Sequence, residues 1–303
     1  MWLTVQSFVV AAVLAQAPTG SSEGPDEAPN EEPVADLEPV HPANARWAVD
    51  GPIALGSLAV GFTMQLWVTK QLPLDPLPTR PALGGFDRSV HARYSKRASL
   101  GAEVLQISGG LLPFLVHTIE AAPHRGRVLA RLSRDFLIYE EAAGLTLLTG
   151  EIIKYAARRP RPLAYANPDD YSGAEREALI EAQADPASRQ SFVSSHTALM
   201  VAAAVASSTL LTIKLRGRGT KGAKAAIALT WIGASGIAVG TAALVLVGGQ
   251  AYPSDVIAGA SLGAAFGAAV PLAHLRPKKP GRATVRLGPL YGPTRGAAIM
   301  GRF

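Results

Sequence analysis

AAIALTWIGASGIAVGTAALVLVGGQAYPSDVIAGASLGAAFGAAVPLAHL, residues 225–275, contains one charged side chain, Asp255. Residues 225–254 are uncharged, and this run exceeds the roughly 20 apolar residues a helix needs to cross a bilayer. Gly248, Gly249 and Pro253 divide the stretch, which reads as two apolar helices over 225–249 and 255–273. Small residues run through both, among them Gly236, Gly240, Gly259, Gly263 and Gly267. Such residues let helix backbones approach closely inside a membrane.

Four further blocks precede these two, at 52–68, 99–118, 136–157 and 192–213. The block at 192–213 is clean enough to span. Glu103 interrupts the second block, and Glu140, Glu141, Glu151 and Lys154 the third, so these two read either as spans or as buried bundle helices. The fold class that follows is all-α: a membrane-embedded bundle of about six helices over residues 46–275. A β-barrel is excluded because at least eight strands are needed; only 283–290 and 296–303 resemble strands.

The ends differ from this body. Residues 1–17 begin with sixteen uncharged, mostly apolar residues and end in Ala15-Gln16-Ala17, which reads as a signal peptide or an N-terminal anchor. Residues 18–45 are an acidic, Pro-rich linker expected to be disordered, because they hold too little apolar surface to offset chain entropy. Residues 276–303 form a basic C-terminal tail.

Charge is low, at 17% of residues against the roughly 25% of a soluble domain. The formal net charge is +6, yet the 17–45 stretch holds seven acids and no lysine or arginine, leaving 29 basic against 16 acidic residues elsewhere. Those basic residues cluster in short segments at 119–135, 214–224 and 275–303 rather than on one surface, so no nucleic-acid partner is expected. With six spans these segments share one side with residues 46–51, and the positive-inside rule makes that side cytoplasmic. The remaining loops then face outward, the periplasm of a bacterial cell envelope. A cleaved signal peptide would reverse this unless one block, most readily 52–68 or 99–118, fails to span. The chain has no cysteine, which excludes disulfides, thiolate nucleophiles and Cys-ligated metals.

Three outward segments place polar groups beside helix ends. In the first, Lys154 ends a helix while Pro160 and Pro162 hold Arg161 beside it. Two such cations suit a phosphate clamp, and equally a basic membrane flank with Arg158 and Arg159. In the second, Ser194, Ser195 and His196 open a long helix, where free N–H groups suit an anion and an imidazole can protonate a leaving group; a simple cap is the alternative. In the third, Ser254 and Asp255 open the last helix. A cap explains them, but a lone acid in apolar sequence points to function.

In order and spacing, the three segments resemble the type 2 phosphatidic acid phosphatase superfamily, which also includes haloperoxidases. Its pattern is Lys-x6-Arg-Pro, then Pro-Ser-Gly-His, then Ser-Arg-x5-His-x3-Asp. Lys154, Arg161 and Pro162 match the first element. Ser194 and His196 match the second, with Val193 and Ser195 replacing Pro and Gly. Asp255 matches the end of the third. The resemblance implies a helical bundle with Lys154, Arg161, Ser194 and Ser195 binding phosphate, His196 as the acid and Asp255 as the residue that orients the nucleophile. It implies no metal and no cofactor in the phosphatase branch, and as partners a phosphorylated lipid or isoprenoid headgroup and the membrane.

Two positions depart from the pattern. Ala251 stands where the nucleophilic histidine belongs, and Val245 where the third phosphate-binding cation belongs. Alanine cannot attack phosphorus, and valine cannot neutralise an oxyanion. His91 is the remaining histidine on the correct side; His41 falls in the linker, and His117, His124 and His274 belong to the opposite end. Three functions stay open: a membrane phosphatase with a non-standard nucleophile, a half-site that binds phosphate without turnover, and a structural membrane protein.

Overall fold

A computed structural model describes residues 45–74, 76–78, 83–123 and 128–275, together with the backbone of a terminal hairpin. The signal or anchor segment and nearly all of the acidic linker lie outside the described residues, as does His124.

Seven helices are present among the described residues: α1 (Trp47–Thr63), α2 (Lys96–Ala121), α3 (Val128–Ala157), α4 (Gly173–Ala184), α5 (Ser195–Leu215), α6 (Lys221–Val247) and α7 (Pro253–Ala273). All six apolar blocks are helical. A π turn (Met64–Val68) and a 3-10 turn (Thr69–Gln71) continue α1, with the Thr69 hydroxyl donating back to the Met64 carbonyl at 3.0 Å. Five of the helices, α1 with its extension, α2, α5, α6 and α7, are long and apolar enough to cross a membrane. The protein is a membrane-embedded helical bundle.

One expectation about the blocks needs correction. Those at 52–68 and 99–118 are not the weak ones, since both belong to helices of spanning length and composition. The block at 136–157 carries Glu140, Glu141, Glu151 and Lys154, and α3 turns these and Asp135 inward among its neighbours, the buried bundle helix offered as its alternative. Together α3 and α5 form the interior, where Ile138, Tyr139 and Ala142 pack against Met200, Ala203, Ala206 and Leu210. The α4 helix lies between the third and fourth apolar blocks, within residues 163–190. Its Leu179 is fully buried against Leu163 and Ala166. In the basic tail the two strand-like stretches do form strands, β1 (Thr284–Leu290) and β2 (Gly296–Arg302), which pair antiparallel with Leu287 opposite Ile299.

The glycines of α7 set the geometry that matters for the site. A Cβ on Gly259 would stand 2.6 Å from the Ser194 carbonyl oxygen, and one on Gly267 would stand 2.8 Å from that of Ala202. At Gly263 the backbone of Ala198 is closer still. Residues spaced by four on α7 therefore lie directly on residues spaced by four on α5, the small-residue packing of membrane helices. This contact brings the N-termini of α5 and α7 together.

Candidate functional site

The site end of the bundle gathers the C-termini of α1, α3 and α6 and the N-termini of α2, α5 and α7. Local sequence fixes each helix end. Ser194 caps α5, its hydroxyl accepting from Thr197 N at 3.4 Å. Pro253 opens α7 at a position where its missing N–H costs nothing, and the Asp255 carboxylate accepts from Tyr252 N at 2.9 Å. Gly249 adopts φ +67°, and a side chain there would collide with the Arg93 carbonyl, so the turn into α7 requires glycine.

Backbone hydrogen bonds stitch the three segments together. Ser191 N donates to the Arg159 carbonyl at 2.7 Å and Arg161 N to that of Ser188 at 2.8 Å. Leu163 N donates to the Gly249 carbonyl at 2.9 Å, and Ser194 N to that of Asp255 at 3.1 Å. Segments separated by up to about a hundred residues thus form one rigid floor.

Lys154, Arg161, Ser194, Ser195, His196 and Asp255 all reach this floor. Lys154 is buried, and its ammonium donates to Glu151 at 3.0 Å. The Ser195 hydroxyl donates to the same carboxylate at 2.7 Å. His196, in the first turn of α5, lies within electrostatic reach of both Lys154 and Arg161. Arg161 Nε donates to the Gln190 carbonyl at 3.3 Å, and its Nη1 to Gln250 Oε1 at 3.4 Å. Burial pulls the Arg161 guanidinium below its ordinary range. Two buried polar atoms at this end, Gln190 Nε2 and Tyr165 Oη, have no hydrogen-bond partner among the described residues.

Asp255 differs from expectation. It is fully buried but does not stand alone. Arg159 Nη1 and the Ser191 hydroxyl both donate to its carboxylate. The same guanidinium donates to Asp87 at 2.7 Å and lies 4.2 Å from the centre of the Tyr252 ring. Asp87 in turn accepts from Ser254 N at 3.0 Å and from its hydroxyl at 2.7 Å. Burial would raise the Asp87 carboxyl, but hydrogen bonds from Arg159 and Ser254 outweigh it and hold the group below its ordinary value. Burial likewise opposes the charged Arg159, and its two carboxylate partners more than compensate.

Val245 and Ala251 sit in an apolar cluster with Ala102, flanked by Leu244 and Val256. Each is 1% exposed. The two positions to which the sequence resemblance assigns a histidine and a cation are therefore packed in hydrocarbon. His91 does reach the site end. Its Nδ1 lies 3.2 Å from the Tyr252 hydroxyl, and its ring is tilted against that of Tyr165 with centroids 4.7 Å apart. None of its described contacts is to Lys154 or Arg161. Burial lowers its basicity, favouring the neutral ring.

Sequence reasoning missed Glu151, Arg159, Asp87 and Gln190 as members of this floor. Glu151 stands three residues before Lys154 on one helix face, a spacing that signals an ion pair. Nothing in the sequence separates Arg159 from Arg158 as the partner of Asp255.

Residues 135–279 match the sequence model of the family described as the PAP2 superfamily. Among solved structures, the chain resembles the crystal structure of the first transmembrane PAP2 type phosphatidylglycerolphosphate phosphatase from Bacillus subtilis, at 16% identity and a TM-score of 0.39. That alignment covers 73% of this chain and 93% of the other. No curated protein matches the chain.

Proposed function

We propose that this chain, whose residues 135–279 match the PAP2 superfamily model, is a membrane protein of that superfamily that binds the phosphate of a lipid or isoprenoid headgroup without hydrolysing it. The observation that carries this reading is the contrast between the two halves of the site. Lys154, Arg161 and His196 converge at the N-terminus of α5, whereas Val245 and Ala251 are packed into hydrocarbon. The first half supports anion binding. It offers the buried Lys154 and the part-buried Arg161, the free N–H groups of a helix start, and the donors Gln190 Nε2 and Tyr165 Oη, unpartnered among the described residues. The second half has no group able to attack phosphorus.

Glu151 weakens the anion site, because it already accepts from both Lys154 and Ser195. A bound phosphate must displace or share those two donors. This reading makes the retained motif a low-affinity headgroup cradle. The basic segments at the other end orient it outward, toward the periplasm in a bacterial envelope.

Binding of the purified protein to vesicles containing a phosphatidic acid tests the proposal. Arg161→Ala should reduce binding relative to wild type by at least about tenfold, the loss of one charge-assisted contact. Equal binding by wild type, Arg161→Ala and Lys154→Ala would leave only a structural role.

A further inference from the structure

Away from the phosphate floor, three acceptors converge among α1, α3 and α7. Asp50 lies in the first turn of α1, Glu141 within α3, and His274 directly after α7; all three are buried. Glu141 is ten residues before Glu151, about 15 Å along the helix, so this cluster is separate from the anion site. His274 Nε2 is 3.2 Å from Asp50 Oδ2 and 3.3 Å from Glu141 Oε2.

The protonation of His274 is constrained by its other nitrogen. Nδ1 lies 2.8 Å from the Val270 carbonyl oxygen, which can only accept. Nδ1 therefore carries a proton, and in a neutral imidazole Nε2 is left as a lone pair. That lone pair faces two carboxylate oxygens, which are acceptors as well. Among the described residues Glu141 Oε2 has no hydrogen-bond partner, although Glu141 is only 8% exposed. Asp50 Oδ2 also accepts from the Arg46 backbone N–H, but the lone pairs of Nε2 and Glu141 Oε2 cannot satisfy each other, and something positive belongs between the three groups. The exposed Arg46 is in electrostatic reach of Glu141, but none of the described hydrogen bonds joins its side chain to the three.

We propose that Asp50, Glu141 and His274 bind a divalent first-row transition cation of the zinc or manganese class. Ligand bonds of about 2.0–2.2 Å place neighbouring ligand atoms roughly 3.0–3.5 Å apart; the two distances from His274 Nε2 fall in that range, and all three ligand atoms lie within 4.8 Å of one another. Two carboxylates and a neutral imidazole balance a charge of +2. The Nδ1–H to carbonyl contact is the arrangement that fixes a metal-binding tautomer. The ion pins the start of α1 and the end of α7 to the middle of α3. The competing occupant is a proton, which makes His274 an imidazolium donating to both acids.

Titration of the chelator-stripped full-length protein in detergent with Zn2+ separates the two, with the visible bands of Co2+ as a second readout. One equivalent of zinc per chain is expected, with a rise in the unfolding temperature. His274→Ala and Glu141→Gln should weaken uptake by more than about 100-fold, beyond the cost of losing an outer-shell partner. His91→Ala should leave it intact. Absence of a stoichiometric equivalent in wild type, or undiminished uptake in both ligand variants, overturns the proposal. If either variant fails to fold, the wild-type titration and its Co2+ spectrum decide alone.

Discussion

Arg159 donates to Asp255 from a segment 96 residues earlier in the chain and holds Asp87 with its other amino group. The acid to which the sequence resemblance assigns the orienting of a nucleophile is the buried partner of a guanidinium. Ser191 and the Tyr252 amide complete its hydrogen bonding. The residue survives as a structural tie between the α7 start and the two preceding loops.

Removing that tie should therefore affect folding. Arg159→Ala leaves two buried carboxylates without their cation, and loss of one partner from a buried pair costs about 3–5 kcal/mol. Arg159→Lys should recover little, because a point charge cannot bridge two carboxylates as a planar fork does. Unfolding of the detergent-solubilised variants checks this. Unchanged stability in Arg159→Ala would assign the arginine to something other than structure.

Glu151 competes with any bound anion for Lys154 and Ser195. Glu151→Gln should raise affinity for a phosphorylated lipid several-fold, since a neutral amide releases the ammonium. Lys154→Ala should lower affinity. Vesicle binding of the two variants beside wild type reads both directions.

Val245 cannot simply be restored to a cation. At 1% exposure among Ala102, Leu244 and Val256 it has no charged partner in its cluster. Val245→Arg should destabilise the protein by several kcal/mol, the cost of an uncompensated buried charge. Val245→Ala should cost less, about 1–2 kcal/mol of lost packing. The comparison of unfolding midpoints separates the electrostatic part from the steric part.

His91 gives the stability a pH dependence. Burial holds its folded pKa below the ordinary 6.5, so the unfolded chain binds the extra proton first as pH falls. Its contribution is complete above about pH 6.5 and is lost below it, as pH falls through the depressed folded value. His91→Phe should flatten that limb of the stability profile while keeping the ring contact with Tyr165.

Much of this architecture is legible in the sequence because apolar blocks and their polar interruptions are local signals. Lys154, Arg161, His196 and Asp255 are found by spacing, and Ala251 and Val245 by counting back from Asp255. The α4 helix was less visible, since only Leu179 of its twelve residues is buried. Its cue was the Ser172-x-x-Glu175 pattern of a helix start. The role of Arg159 was not readable at all. Three arginines surround Pro160, and only the folded chain selects which one meets Asp87 and Asp255. The convergence of Asp50, Glu141 and His274 is likewise tertiary, drawn from three helices far apart in sequence.

The central claim is that this site binds phosphate but has no nucleophile. Inorganic phosphate release from a phosphatidic acid by the purified wild-type protein, beside His196→Ala, tests it most directly. The expected result is release no faster than the protein-free control for both. Release by wild type that disappears in His196→Ala would contradict the claim and require a nucleophile other than the residue at position 251.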